Sequence, residues 1–167
     1  LETRIRKARS RNDLVIVNPH WGRGLQDEVM EYEKEIAHAA IDAGSDIILG
    51  SHPHRIHPIE VYKGKPIFYC LANFFLQYED SWLEGLRRHG WSSELLVGPE
   101  GLIARVFISN KRVSEIELLP LKLNEEGTPA FPAPDLGNRI LRRVEEISKP
   151  LGTTIAVQRD RATLEID

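Results

Sequence analysis

DIILGSHPHRIHPIE, Asp46–Glu60, runs a short apolar segment straight into three histidines and two prolines. An apolar run of this length without alternation reads as a strand buried on both faces, as in parallel sheets. The pattern recurs upstream, where Leu14–Val17 is wholly apolar and is followed by Asn18-Pro19-His20-Trp21-Gly22. Between the two, Tyr32, Ile36, Ala39 or Ala40 and Ala43 repeat at helical spacing. Asp27, Glu28 and Glu31 crowd the first turns of that helix and Gly44 supplies its stop. Strand, helix and strand in this order predict a parallel crossover, which sets the residues just past both strands on one edge of the sheet. His20 and His52 are expected to meet there.

Beyond Glu60 the pattern turns antiparallel. Ile59–Tyr62, a Lys63-Gly64-Lys65 turn and Pro66–Leu71 read as one hairpin. Leu102–Ile108 and Val113–Leu119 read as another around Asn110-Lys111, with Glu115 and Glu117 on a wet face. Residues 77–94 read as an irregular excursion and Asn124–Pro134 as a surface loop. A last helix carries Leu136, Ile140, Val144 and Ile147 on one face and ends at Pro150 and Gly152, before strands at Thr154–Val157 and Ala162–Ile166. At the other end, Leu1–Asp13 reads as the tail of a helix feeding the first strand. One α/β domain over residues 1–167 is expected.

With 41% hydrophobic and 28% charged residues, a chain of 167 residues has the material for one real core. Its net charge of −3 gives no general pull toward nucleic acid or anionic lipid, so a nucleic-acid partner is not expected and a polyanion would have to be bound locally. The basic stretch Arg4, Arg6, Lys7, Arg9 and Arg11 reads as a solvated helix face. Cys70, the single cysteine, excludes an intrachain disulfide and reads as a small buried hydrophobe. No apolar run reaches the roughly eighteen residues of a membrane-spanning helix, so no span is expected within the chain.

On extended backbone an H-x-H pair sends both side chains to one face, and a proline between them stiffens that geometry. His52 and His54 fit the pattern, with His20 as a third neutral nitrogen donor from the neighbouring strand end. Three imidazoles around one small volume suit Zn, Mn, Fe or Ni better than Ca or Mg. Taken singly, each histidine reads as capping a sheet edge or hydrogen-bonding a loop; it is the three together that point to a metal. His57 lies past the turn and faces either substrate or solvent, while His38 and His89 read as surface residues. Trp21 either shapes a pocket beside the metal or packs in the core. A carboxylate is missing. Hydrolytic centres with two ions about 3.5–4 Å apart usually need a bridging one, and Asp13, Asp42 and Asp46 sit at the wrong end of the sheet.

As ordered blocks, HWG (His20–Gly22), DAGSDIILGSHPH (Asp42–His54), PIEVYKGKPIFY (Pro58–Tyr69) and LANF (Leu71–Phe74) resemble the bacterial capsule synthesis family. These are the CapA or poly-γ-glutamate biosynthesis proteins of the calcineurin-like metallophosphoesterase superfamily. LLPLKLNEEGTPAFP (Leu118–Pro132) and the helix after it are similar to that family's C-terminal end. The resemblance implies the C-terminal half of a four-layer α/β/β/α sandwich with mixed sheets and a dinuclear centre at the strand ends. In that account His20 and His52 hold one divalent transition metal (Mn, Fe, Zn or Ni) and His54 the other. Asn73 and Glu60 stand behind the ligands or line the pocket. The acidic and Asn-His motifs of the family's N-terminal half have no counterpart here, so that half is the expected partner.

The implied activity is metal-dependent hydrolysis of a phosphoester or a γ-glutamyl polymer, with an anionic small molecule or polymer as substrate and His57 as a candidate proton donor. The alternative is a non-catalytic assembly or polymer-binding component that keeps the fold. The resemblance also implies an extracytoplasmic location, with any membrane anchor upstream of Leu1. Three positions depart from the family's habit: Gly24 where Glu is frequent, His57 where Gln is frequent, and YCLANF (Tyr69–Phe74) in place of YSLGNF. The last is expected to be a structural change.

Overall fold

The computed structural model describes residues 1–77, 84–85, 88, 99–124 and 126–166. Most of the excursion expected at 77–94, His89 with it, lies outside the described residues.

The crossover forms from α1 (Glu2–Arg9), β1 (Ile16–Val17), α2 (Glu31–Asp42) and β2 (Ile47–Leu49). Ile16 pairs with Ile47 and Val17 with Ile48 in parallel register. β3 (Ile59–Tyr62) and β4 (Lys65–Phe68) make the predicted hairpin over Lys63 and Gly64, whose φ angles of 51° and 69° are those of a mirror-image tight turn. β4 also pairs in parallel with β2, giving a mixed sheet of order β1-β2-β4-β3.

The second sheet is antiparallel throughout. β5 (Glu100–Ser109) and β6 (Arg112–Leu123) turn at Asn110 and Lys111, again with positive φ of 50° and 63°. The expected loop after β6 contains one short strand, β7 (Pro129–Ala130), paired to β6. Then follow α3 (Pro134–Ser148) and the closing pair β8 (Ile155–Val157) and β9 (Ala162–Glu165), with β9 against β6.

Alternation along the first sheet sorts its side chains into two cores. Ile48, Ile67 and Tyr69 point toward α1 and α2, where they meet Ile5, Ala37, Ala40 and Ile41. Ile47, Ile59 and Phe68 point the other way, onto Ile116, Leu118 and Leu164 of the second sheet and Ile140, Leu141 and Val144 of α3. Burying such side chains contributes about 1.5–3 kcal/mol each, so both faces of the first sheet are fixed relative to its neighbours.

Three details differ from the expectation. α2 buries Ala37, Ala40 and Ile41, leaving Tyr32 and Ile36 at 42% and 37% exposure. Small alanines let the helix lie close to the strands, and the Tyr32 hydroxyl turns outward to accept a hydrogen bond from the Gly22 N–H at 2.6 Å. β1 lies at the edge of the sheet that this chain forms, with Ile16 54% exposed, so within this chain Leu14–Val17 is not buried on both faces. Glu117 is 5% exposed, because Arg105 and Arg161 close over its carboxylate at 2.9 and 2.8 Å.

At the opposite edge, β3 has backbone donors that side chains satisfy. The Ile59 N–H donates to Ser148 Oγ at 3.0 Å and the Val61 N–H to Thr153 Oγ1 at 3.1 Å. The end of α3 and the turn that follows it thereby close an edge that would otherwise present unpaired donors. No helix among the described residues is long and apolar enough to cross a membrane.

Candidate metal centre

Parallel pairing continues one step past β1 and β2. His20 bridges Ser51, the Trp21 N–H donates to Ser51 O at 3.1 Å, and the Ser51 N–H donates to Pro19 O at 3.0 Å. The two loops are thus stitched together where the strands end, and the His20 and His52 rings meet with centroids 4.6 Å apart. His54 stands 6.2 Å from His52. His20 is exposed, and His52 and His54 are half-buried.

The route to this meeting is not the expected one. His52 and His54 are not on extended backbone, since their φ angles are +110° and +57°. Such conformations cost a non-glycine residue on the order of 1–3 kcal/mol and cluster at functional sites. The loop is forced off the strand path because it is tied on both sides. The Leu25 N–H donates to Pro53 O at 2.7 Å, and Ile56 bridges Leu71. His52 and His54 therefore come together through loop geometry, and strand alternation plays no part.

Behind His54 lies Asn73, whose Oδ1 is 2.7 Å from His54 Nδ1. The segment that carries it has Ala72 at φ +64°, a conformation that favours the glycine usual in YSLGNF. Asn73 thus lies against one ring nitrogen of His54.

The remaining expected residues are placed elsewhere. His57 is fully buried and faces neither substrate nor solvent; its ring Nε2–H donates to Gln26 O at 2.8 Å and its backbone N–H donates to Cys70 O at 2.9 Å. The Ile56–Leu71 bridge draws it under the sheet edge, where it pins the loop after His20 and has no access to a reactant. Glu60 does not back the histidines either. Alternation along β3 sends Ile59 toward the second sheet and Glu60 beneath α2, where Tyr69 Oη donates to it at 2.6 Å and His38 Nε2 lies 2.8 Å away. His38, expected at the surface, is instead tied to Glu60 and stacked on Tyr62, with centroids 3.9 Å apart.

Burial, and then the neighbouring Glu60, push the Tyr69 phenol well above its ordinary value of 10.0. Trp21 takes the packing alternative: it is 6% exposed and its Nε1–H donates to Tyr69 O at 3.0 Å. Burial also pushes the Cys70 thiol up, as a buried hydrophobe would show.

The other carboxylates are engaged away from the histidines. Asp13 pairs with Lys111 at 2.8 Å, and Asp42 with Lys63 at 2.5 Å, which holds its carboxyl below the usual range. Asp46 accepts from the Val15 N–H at 2.8 Å and pairs with Arg9 and Lys65. Sequence reasoning missed Glu33, which is fully buried in the first turn of α2 and accepts from the Met30 N–H at 2.7 Å. The spacing is that of a capping box, but Met30 stands where the motif has Ser or Thr, so the sequence carried only half of the signal.

A metal demands more than this set supplies. Neutral imidazoles are the right donors for a transition metal, and a ring whose second nitrogen is held by an amide oxygen is the usual form of a metal-binding histidine. Yet among the described residues no three His, Cys, Asp or Glu side chains converge closely enough to enclose an ion. What the chain offers is a pair of imidazoles in contact and a third with its back secured, part of a coordination sphere.

The family described as bacterial capsule synthesis protein PGA_cap matches residues 1–78, the stretch that holds His20, His52, His54 and Asn73. The PGA biosynthesis protein CapA of Bacillus subtilis is 28% identical over 165 residues, covering 98% of this chain and 38% of the relative. The capsule biosynthesis protein CapA of Bacillus anthracis is 31% identical over 117 residues, or 70% of this chain and 25% of the relative. A probable polyglutamine synthesis accessory protein of Mycobacterium tuberculosis is 39% identical over 67 residues, 40% of this chain and 18% of the relative. The chain therefore spans well under half the length of the relatives it matches, which fits a resemblance to the family's C-terminal half. On the family match and the two CapA relatives, the chain belongs to the bacterial capsule synthesis family of CapA-like proteins.

Proposed function

We propose that this chain carries the imidazole share of a metal-dependent hydrolytic centre in a capsule or poly-γ-glutamate biosynthesis protein. The observation that carries the reading is the His20–His52 ring pair, 4.6 Å apart, at the ends of two parallel strands. That is where open α/β sheets collect their ligands. His20 and His52 hold one divalent transition metal and His54 the second, with the carboxylates contributed by other parts of the full-length protein. Such an ion, when bound, supplies Lewis acidity toward an anionic oxygen of a phosphoester or γ-glutamyl substrate. The chain's own residues do the positioning: Ser51 and Pro19 fix the two loops side by side, His57 pins Gln26, and Asn73 backs His54. In this reading the protein works outside the cytoplasm, with its anchor upstream of Leu1.

The rival is a non-catalytic assembly or polymer-binding component that keeps the fold. It is favoured by the lack, among the described residues, of three convergent ligands. Elemental analysis of the intact protein, together with hydrolysis of an aryl phosphate, separates the two. The hydrolytic reading expects bound transition metal and turnover, both lost in His52→Ala. A protein with no bound metal, indifferent to His52→Ala, would leave the binding component standing.

A further inference from the structure

We infer that Asn73 is a positioning residue that holds His54 in its Nδ1–H tautomer and so leaves the Nε2 lone pair free as a donor. Its purpose rests on the reading of His54 as a metal ligand, but its observations do not. The Asn73 Oδ1 to His54 Nδ1 separation is 2.7 Å. An amide oxygen can only accept, so a neutral ring bonded to it carries its proton on Nδ1.

The arrangement is costly. Asn73 is 9% exposed and its Nδ2 is buried with no partner. An unmet buried donor is strongly unfavourable, so the side chain is not buried for its own satisfaction. Among the described residues its one side-chain bond is the bond to His54.

The backbone beneath it is fixed by the second sheet. The Leu102 N–H donates to Leu71 O at 3.0 Å, and Ala72 takes a left-handed φ of +64°. At Gly101 a side chain would stand 2.7 Å from Asn73 O and 3.5 Å from Leu71 O, so glycine is what lets β5 press against this segment. The antiparallel sheet, remote in sequence from the histidines, thereby aims the amide at one of them. A metal-binding histidine that donates its other ring N–H to an oxygen is fixed in both tautomer and orientation.

The test is a long-range proton–nitrogen correlation spectrum of the histidine rings in the intact, metal-free protein. His54 should be in the Nδ1–H form in wild type, shift to Nε2–H or a mixture in Asn73→Ala, and return to Nδ1–H in Asn73→Asp. An Nε2–H ring in wild type would mean that the amide is reversed, donating from Nδ2, and would overturn the inference. So would a folded Asn73→Ala protein with an unchanged tautomer. If Asn73→Ala does not fold, the wild-type spectrum decides alone. Zinc titration is the second arm: Asn73→Ala should weaken affinity about 10–100-fold with Asn73→Asp recovering it, and equal affinity in all three overturns the positioning role. If wild type binds no zinc, the hydrolytic reading fails while the tautomer still decides for or against Asn73.

Discussion

Gly50, the residue between β2 and the histidine loop, is predicted to be intolerant of a single methyl group. A Cβ there would stand 2.2 Å from Tyr69 O, 2.4 Å from Trp21 Nε1 and 2.8 Å from Trp21 Cε2. Favourable contacts between carbon atoms lie at about 3.5–4.0 Å, so the overlap exceeds an ångström. The crowded atoms cannot step aside together. Trp21 Nε1–H donates to that same Tyr69 O at 3.0 Å, and the Gly50 N–H donates to Phe68 O at 2.7 Å. The indole must leave its carbonyl. Gly50 is not at positive φ, so the effect is steric alone. Overpacking costs about 1–3 kcal/mol and losing a buried hydrogen bond roughly another 1–2, so Gly50→Ala should destabilise by about 2–5 kcal/mol. For a domain of this size each kcal/mol moves the melting midpoint by about 2–4 °C, so a fall of roughly 10 °C is expected.

Calorimetry of the intact protein measures that fall, and the Trp21 indole N–H resonance reports the local change. Gly24→Ala is the control: its nearest neighbour would be His52 Nε2 at 3.8 Å, an ordinary contact. It should stay within about 0.5 kcal/mol of wild type. A Gly50→Ala protein that melts within about 2 °C of wild type with an unmoved indole signal would refute the reasoning.

Two further predictions concern elements that frame the site. Thr153→Val and Ser148→Ala each strand a β3 backbone donor, Val61 N–H or Ile59 N–H, and each should cost about 1–3 kcal/mol in urea unfolding; losses under about 0.5 kcal/mol would show that water replaces the hydroxyl. The second is the pH response of Tyr69, whose phenol is held above its ordinary 10.0 by burial and Glu60. The folded chain keeps a proton that the unfolded chain gives up, so the stability this contributes is whole below about pH 10 and is lost as pH rises further. Ultraviolet titration of the four tyrosines should leave one un-ionised until the protein unfolds. A native titration of all four together, or a Tyr69→Phe protein with the same alkaline loss of stability, would contradict it.

The topology was legible because its signals are local. Two unbroken apolar runs flanking a helical pattern can hardly be read otherwise, and Gly64 and Asn110 mark their turns by tolerating positive φ, each taking a lysine neighbour with them. Burial was legible only where neighbours follow from chain order. Ile16 looked like Ile48 in sequence, but one sits on an edge strand and the other inside. Glu60 was misplaced for a related reason: its adjacency to the histidines in sequence carries no information about which face of β3 it takes. The phase of the alternation does, and Ile59, packed against α3 and the second sheet, sets that phase.

The histidine loop marks where local rules end. The residue before a proline is biased toward negative φ and extended backbone, yet His52 precedes Pro53 and has φ +110°. The same rule that made H-P-H look like a stiff strand therefore predicted the wrong conformation and still the right meeting place. The meeting depends on the sheet edge: once β1 and β2 are parallel, the first residues beyond them are neighbours whatever path the loop then takes. The path itself is set by ties from far along the chain, Leu25 to Pro53 on one side and Leu71 to Ile56 and Leu102 on the other. Which residues assemble is thus written in the strand order, whereas how their rings are aimed is written in the second sheet, and the aim of His54 is a property of residues 71–73 and 101–102 as much as of its own loop.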